Sequence, residues 1–252
     1  MAMFESDSAY DAFMGRYSRR LGPVFAEFAG LPEGARVADI GAGTGALSSE
    51  LVARGLRVAA ADPSPQFVAA LSERLPAVEA HVAPAEELPW EDESFDASLA
   101  QLVVAFMKDA PAGVREMRRI VKPGGTVAVC MWDRQGMEML AAVLRTQQAL
   151  ASDTPTAEMR VMYRTREEIE SLFGDGFDDV HTEMLETDGA YTGFDEFWSA
   201  LCGGAGPAGV WLASLDEAQR EAAQAELYRQ VGEPSGPFTL RATAWATRAA
   251  RA

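Results

Sequence analysis

The sequence predicts an α/β fold built on a parallel sheet, and three observations carry that prediction. Between residues 35 and 132, short apolar runs rich in β-formers alternate with segments whose apolar residues recur at helical spacing. The run at 95–104 is almost wholly apolar, as a central strand covered on both faces must be. The chain has 252 residues, 48% apolar and 24% charged, which is long enough to bury a substantial core and has the composition of a globular protein.

The first strand, residues 36–40, ends at Gly41. A helix is expected from Thr44, with Leu47 and Leu51 on its inner face and Gly55 to stop it. The second strand, 57–61, ends at Asp62, after which Ser64 offers an N-cap and Pro65 a first helical residue. Val68, Leu71 and Leu75 form the expected buried stripe before Pro76. A third strand at 78–82 leads into the loop 84–90, and the fourth is the apolar run at 95–104. The next helix carries Val114, Met117, Ile120 and Val121 and stops at Lys122-Pro-Gly-Gly125, because proline removes a backbone donor and glycine accepts positive φ. Residues 126–132 complete a fifth strand.

Further along, 137–150 and 166–173 read as helices, 177–185 as a strand, and 152–156 as a loop. Residues 194–230 read as mostly helical, broken at 203–207, and 237–246 alternates like a closing strand. Residues 10–21 are aromatic and helical in pattern. The organisation that follows is an N-terminal helical flap at 1–30, a ligand-binding core at 31–135, and a segment at 136–252 that completes the sheet and carries helical cap insertions.

Twenty-two basic against 38 acidic residues give a net charge of −16, a field that repels nucleic-acid phosphates and anionic lipid. Neither nucleic acid nor a membrane is an expected partner. Two cysteines, Cys130 and Cys202, and two histidines, His81 and His181, allow neither a disulfide framework nor a metal-ligand spacing, so no metal is expected. Residues 1–13, with Glu5, Asp7 and Asp11, lack the basic start of a secretory signal, and a reducing, cytoplasmic setting is the expectation.

In an open α/β sheet, ligands bind beyond the carboxyl ends of the strands. The residues there are 39–45, Asp62, 84–87 and Gln101 onward. Glycines at 41, 43 and 45 let a ligand approach the backbone and the positive N-terminus of a helix, although such a loop also suits a purely structural turn. Asp62, 21 positions after Gly41, is placed to accept both hydroxyls of a ribose; with Pro63 it equally suits the start of the next helix. Asp39 sets a negative charge beside the glycine loop, which would repel a pyrophosphate and attract an ammonium or sulfonium.

The segment Val37-Ala-Asp-Ile-Gly-Ala-Gly-Thr-Gly45 resembles the first motif of class I S-adenosylmethionine-dependent methyltransferases. Ala60-Ala-Asp-Pro-Ser64, residues 85–96 and residues 115–125 are similar, in order, to later motifs of that family. The subgroup it resembles modifies small molecules such as quinones, and residues 10–17 resemble the N-terminal flap of such enzymes. The resemblance covers about 100 residues. It implies a three-layer Rossmann-like fold with a seven-stranded, mostly parallel sheet whose last strand is antiparallel, S-adenosylmethionine as cofactor, and a small-molecule methyl acceptor as partner.

Carried over residue by residue, the resemblance gives the methionine part of the donor to Asp39 and the backbone of Gly41, Ala42, Gly43 and Gly45. Asp62, followed by Pro63, would hold the ribose, Ala85 and Glu86 the adenine, and Gln101 would meet the methionine moiety. Two positions depart from the pattern: Pro84 replaces a frequent acidic residue, and Ala105 a frequent histidine. With the histidine missing, Tyr10 and Tyr17 are the candidate catalytic groups. Methyl transfer from an activated donor needs mainly alignment and exclusion of water, so a dedicated base is optional. A non-catalytic module binding the donor or its demethylated product, and a nicotinamide-dependent oxidoreductase, are the alternative readings.

Overall fold

Arg36–Ile40 forms β1, buried from Val37 onward, and Arg57–Asp62 forms β2 beside it in parallel register, Val37 opposite Val58 and Ile40 opposite Ala61. The computed structural model describes residues 14–150, 162–203 and 206–252. Residues 10–13 of the expected flap motif at 10–17, Tyr10 among them, and the expected loop at 152–156 lie outside the described residues.

Ahead of β1, α1 spans Gly15–Ala29 and runs past the expected end at 21, because Phe25, Ala26 and Ala29 continue the buried stripe of Leu21. Pro23 sits inside this helix, and its carbonyl accepts from Arg54 Nη2 at 2.8 Å. After β1 come α2 (Ala46–Ala53), β2, α3 (Pro65–Arg74) and β3 (Glu79–Val82). Ser64 caps α3 as expected, its hydroxyl accepting from Phe67 N. Of the expected stripe on α3, Leu71 is fully buried whereas Val68 is only partly so.

β4 (Phe95–Gln101) pairs in parallel with β1 and with β5 (Val121–Met137). Between them, α4 (Ala110–Ile120) is capped by Asp109, whose carboxylate accepts from Ala112 N, and buries Val114, Met117 and Ile120. β5 begins before the expected 126. Val121 pairs with Phe95 and Thr126 with Ala97, so Lys122-Pro-Gly-Gly125 is accommodated as a register shift within the strand.

α5 (Glu138–Ala149), α6 (Arg166–Glu170), β6 (Phe177–Tyr191), α7 (Phe194–Cys202), α8 (Gly206–Ser214), α9 (Glu217–Gln230) and β7 (Phe238–Arg251) follow. The seven strands lie in the order β3-β2-β1-β4-β5-β7-β6, mostly parallel and antiparallel at the last strands. Against β6 the partners of β7 fall as β6 advances: Gly176 O accepts from Ala252 N, and Thr182 bonds Thr247. Against β5, Val121 O accepts from the Arg251 side chain and Asp133 from Trp245. The chain leaves β1 for β2 and β3 on one side and returns to β4 on the other, making the β1/β4 junction a topological switch point.

The chain divides into two compact units. The first, of residues 18–134, 162–186 and 243–252, is centred on the parallel strands, with Phe95, Leu99, Val127, Val129 and Cys130 fully buried. Among the described residues, the second takes in 14–17, 135–150, 187–203 and 206–242 and is largely helical. Its core is aromatic: Tyr191 packs on Phe197 and Phe238, and Phe194 on Tyr228. No helix of the described residues is long and apolar enough to cross a membrane.

In the first unit, Thr182 and Thr247 join their hydroxyls at 2.8 Å, both buried. Thr247→Val leaves the Thr182 hydroxyl without this partner, and urea unfolding is expected to show a loss of about 1–3 kcal/mol. Replacing both threonines by valine is expected to cost less than the sum of the single changes.

Candidate functional site

The loop after β1 turns at three glycines in the left-handed region, Gly41 at φ 68°, Gly43 at φ 54° and Gly45 at φ 88°. Each has a different reason to lack a side chain. A Cβ on Gly41 would meet the Val103 side chain at 2.4 Å, so the chain just past β4 packs directly on this turn. A Cβ on Gly45 would press on Leu71 and Leu75 at 3.3 Å, whereas one on Gly43 would meet nothing within 4 Å, leaving that side of the loop open. Gly45 is also the N-cap of α2 and offers no capping side chain, which leaves the backbone donors of the helix start without a side-chain partner at the cap.

The loop is held by β2. Ala61 O accepts from the N–H groups of both Gly41 and Ala42, at 2.7 and 3.1 Å. Asp62 Oδ2 accepts from Gly43 N at 2.9 Å, and its Oδ1 accepts from Ser64 N at 2.9 Å. One carboxylate thus ties the glycine loop to the start of α3, combining the helix-start role with a place at the strand ends. Burial pushes its pKa up, while the two N–H donors pull it down. Pro63, next in the chain, is exposed.

Asp39 lies beneath the loop, 1% exposed, and accepts from Ser48 Oγ at 2.6 Å. The expectation of a full charge presented beside the loop is corrected here. Burial pushes Asp39 up to about 7, with Asp62 adding to the rise and Ser48 opposing it, so near neutral pH the group is only partly ionised.

Ala85 is buried beyond β3, and the Glu86 carboxylate accepts from Asp109 N at 2.9 Å, linking that loop to the start of α4. Gln101 ends β4, buried, and its Nε2 donates to Ser18 O of α1 at 3.0 Å. Its Oε1 is buried without a partner among the described residues. The next residue, Leu102, holds φ 64°, an unusual conformation for a bulky side chain.

Tyr17 is not suited to serve as a base. It is fully buried in the second unit, its hydroxyl 3.1 Å from that of Tyr191, and burial together with Tyr191 drives its pKa far upward, so the phenolate is inaccessible. Arg16 stacks over the Tyr191 ring and pairs with Glu196 at 2.8 Å; the N–H and hydroxyl of Thr192, with Arg16, hold Glu196 down to about 2. Phe197 and Trp211 are core residues, Cys130 is buried, and His81 and His181 lie near the surface on Trp90 and Phe28.

Sequence reasoning passes over Tyr163. Nothing in its neighbourhood repeats or matches a motif, yet Arg164 beside it donates to the carbonyls of Trp132, Asp133 and Arg134 at 3.0–3.2 Å. That fastening holds a tyrosine at φ 61° next to a residue bonded to 132–134 of β5.

Residues 38–129 match a family profile described as Methyltransferase domain. The chain is 30% identical over 170 residues to an uncharacterized protein of Mycobacterium tuberculosis, covering 64% of this chain and 60% of that one. It is 41% identical over 104 residues to an uncharacterized methyltransferase of the same species, covering 41% and 42% of the two chains. Among solved structures, the YcgJ protein of Bacillus subtilis superposes with TM-score 0.58 at 16% identity over 93% of this chain and 97% of its own. Phosphoethanolamine N-methyltransferase 2 of Haemonchus contortus superposes with TM-score 0.56 at 19% identity, over 92% and 52%. At these identities the likeness is one of fold.

Asp39 yields a pH prediction. Its proton is held more tightly in the folded than in the unfolded chain, so between about pH 4 and 7 folding takes up protons and stability falls as pH rises. Asp39→Asn keeps an acceptor for Ser48 and removes this loss. Relative to the parent, the variant is expected to gain about 2 kcal/mol or more between pH 5 and pH 8 in urea unfolding without ligand. An unchanged difference across that range would show that Asp39 titrates normally.

Proposed function

We propose, from the match of residues 38–129 to a methyltransferase domain profile, that the chain is a class I S-adenosylmethionine-dependent methyltransferase that transfers a methyl group to a small-molecule acceptor. One observation carries the reading: a loop of left-handed glycines, open at Gly43, is fastened by Asp62 at the β1/β4 switch point. The residues present suit the cofactor. The loop lets an extended ligand lie against backbone, and Gln101 Oε1 is a buried acceptor awaiting a donor.

On this reading the backbone of Gly41, Ala42, Gly43 and Gly45, with Asp39 beneath, takes the methionine part, and Gln101 closes the end of β4 over it. Each Asp62 oxygen already accepts one backbone N–H and retains a lone pair for a ribose hydroxyl. Pro63, Ala85 and Glu86 flank the adenine. S-adenosylmethionine, when bound, supplies a methyl group already activated on a sulfonium. The protein's part is therefore to align the acceptor and exclude water. The neutral, sealed-off Tyr17 fits that division of labour, since the chemistry needs no phenolate from it.

Calorimetric titration tests the proposal. The protein is expected to bind S-adenosylmethionine in the micromolar range and not to bind NADH. Asp62→Ala is expected to weaken the donor at least tenfold, about 1.4 kcal/mol. Gly34→Ala, also at positive φ but remote from the loop, is expected to lower stability and leave binding intact. NADH binding, or donor binding indifferent to Asp62, would overturn the reading.

A further inference from the structure

Gln101 carries a buried acceptor whose identity the fold fixes. Leu99 of β4 stands opposite Asp39 of β1, and Gln101, two residues on, shares their face of the sheet, the face on which Asp39 meets Ser48 of α2. Its Nε2 donates to Ser18 O at 3.0 Å. A backbone carbonyl can only accept, so the amide cannot turn over, and Oε1 is the atom left to accept. The residue is 9% exposed, and Oε1 has no partner among the described residues. A buried acceptor left unpaired is costly, which marks a place where a ligand brings the missing donor.

Three contacts seat residues 18–29 of α1 around this acceptor. The bond from Gln101 to Ser18 O is the first. At Gly22 the helix comes close enough that a Cβ would stand 3.8 Å from Gln101 Oε1, 3.8 Å from Ala46 O and 3.7 Å from Glu50 Cβ. Pro23, the next residue, gives its carbonyl to Arg54 Nη2 at the other end of α2. Pro23 also removes one backbone donor from α1, so at this turn contacts with β4 and α2 matter more to the helix than its own ladder. Ala46 directly follows Gly45, and Val103, two residues past Gln101, packs where a Gly41 Cβ would stand. Oε1 therefore lies beside the start of α2 and the glycine loop as well as beside α1.

We propose that the Gln101 amide couples α1 to the donor: Oε1 accepts from the ammonium of the donor's amino-acid end while Nε2 holds Ser18 O, so that filling the site tightens residues 18–29 onto β4 and α2. The proposal rests on the methyltransferase reading above and adds a regulation of that same site. An ammonium makes a stronger bond to a buried carbonyl oxygen than a neutral donor does, and Asp39 on the same sheet face favours a cation. A ligand without the ammonium leaves Oε1 unpaired and gives α1 nothing. The coupling is reciprocal: whatever factor a seated α1 adds to donor affinity, the donor adds to the seating of α1.

Two ligands that share an adenosine and a sulfur but differ in the amino-acid end test this: S-adenosylhomocysteine and 5′-methylthioadenosine. Each is titrated by calorimetry into the full chain, and each is added at saturation for hydrogen exchange of the amides at 18–29. S-adenosylhomocysteine is expected to slow that exchange about tenfold, and 5′-methylthioadenosine to leave it within about twofold of the free protein. Gln101→Leu keeps the bulk of the side chain and loses both polar atoms. Its preference for S-adenosylhomocysteine over 5′-methylthioadenosine is expected to fall about tenfold, and the slowing to vanish. Gln101→Glu keeps an acceptor for the ammonium but, as a carboxylate, cannot donate to Ser18 O. It is expected to retain the preference and lose the slowing, a split that a merely structural role would not produce. Binding of 5′-methylthioadenosine to each variant reports that its fold is intact. Equal slowing by the two ligands in the parent, which needs no variant, or slowing that survives in both variants, would overturn the proposal. Failure of the parent to bind either ligand would instead remove the methyltransferase reading beneath it.

Discussion

The Asp62 carboxylate, divided between the N–H of Gly43 and the N–H of Ser64, is the contact on which the geometry of the strand ends depends. A glycine-rich turn has little conformational preference of its own, since each glycine visits left- and right-handed regions with similar ease. Something outside the loop must select one path. Asp62 does so from the neighbouring strand, assisted by Ala61 O, which takes the N–H groups of Gly41 and Ala42. Because the same carboxylate sets the first turn of α3, loop and helix are placed together, and Leu71 and Leu75 of that region pack where a Gly45 side chain would stand.

Two carboxylates near one loop create an electrostatic constraint. Asp39 and Asp62 are both largely removed from water, burial raises the proton affinity of each, and the Asp62 charge adds to the rise of Asp39. The structure relieves this unequally. Asp62 receives two backbone donors, whereas Asp39 receives the Ser48 hydroxyl and stays partly protonated near neutrality. A ligand bringing positive charge to the loop would favour the ionised form of Asp39, so ligand affinity and the proton on Asp39 are linked through a shared term of charge.

In the helical unit, polar aromatic groups serve packing. Tyr17 and Tyr191 satisfy one another inside an aromatic core, and Gly189 exists because a Cβ there would strike the Tyr17 ring at 2.4 Å. Arg16 covers the Tyr191 face and is held by Glu196. These contacts explain why a tyrosine suggested by a motif is unavailable for chemistry: a phenol deprived of water holds its proton.

The sequence by itself determined the order of strands and helices through 132, the glycine turn, the Ser64 cap and the candidate residues at the strand ends. Those features are local: period, capping chemistry and glycine spacing act within a few residues. It misjudged extents where tertiary packing extends an element, as in α1 beyond residue 21, and in β5, where Lys122-Pro-Gly-Gly125 is absorbed by a register shift against β4. Only the tertiary structure decided that Asp39 is buried and only partly ionised near neutral pH, that Tyr17 is sealed among aromatics, and that Arg164 is fastened to residues 132–134 of β5. Each of those outcomes turns on burial or on bonds between residues far apart in the chain, such as Arg164 with Trp132, and neither is encoded in any short stretch of residues.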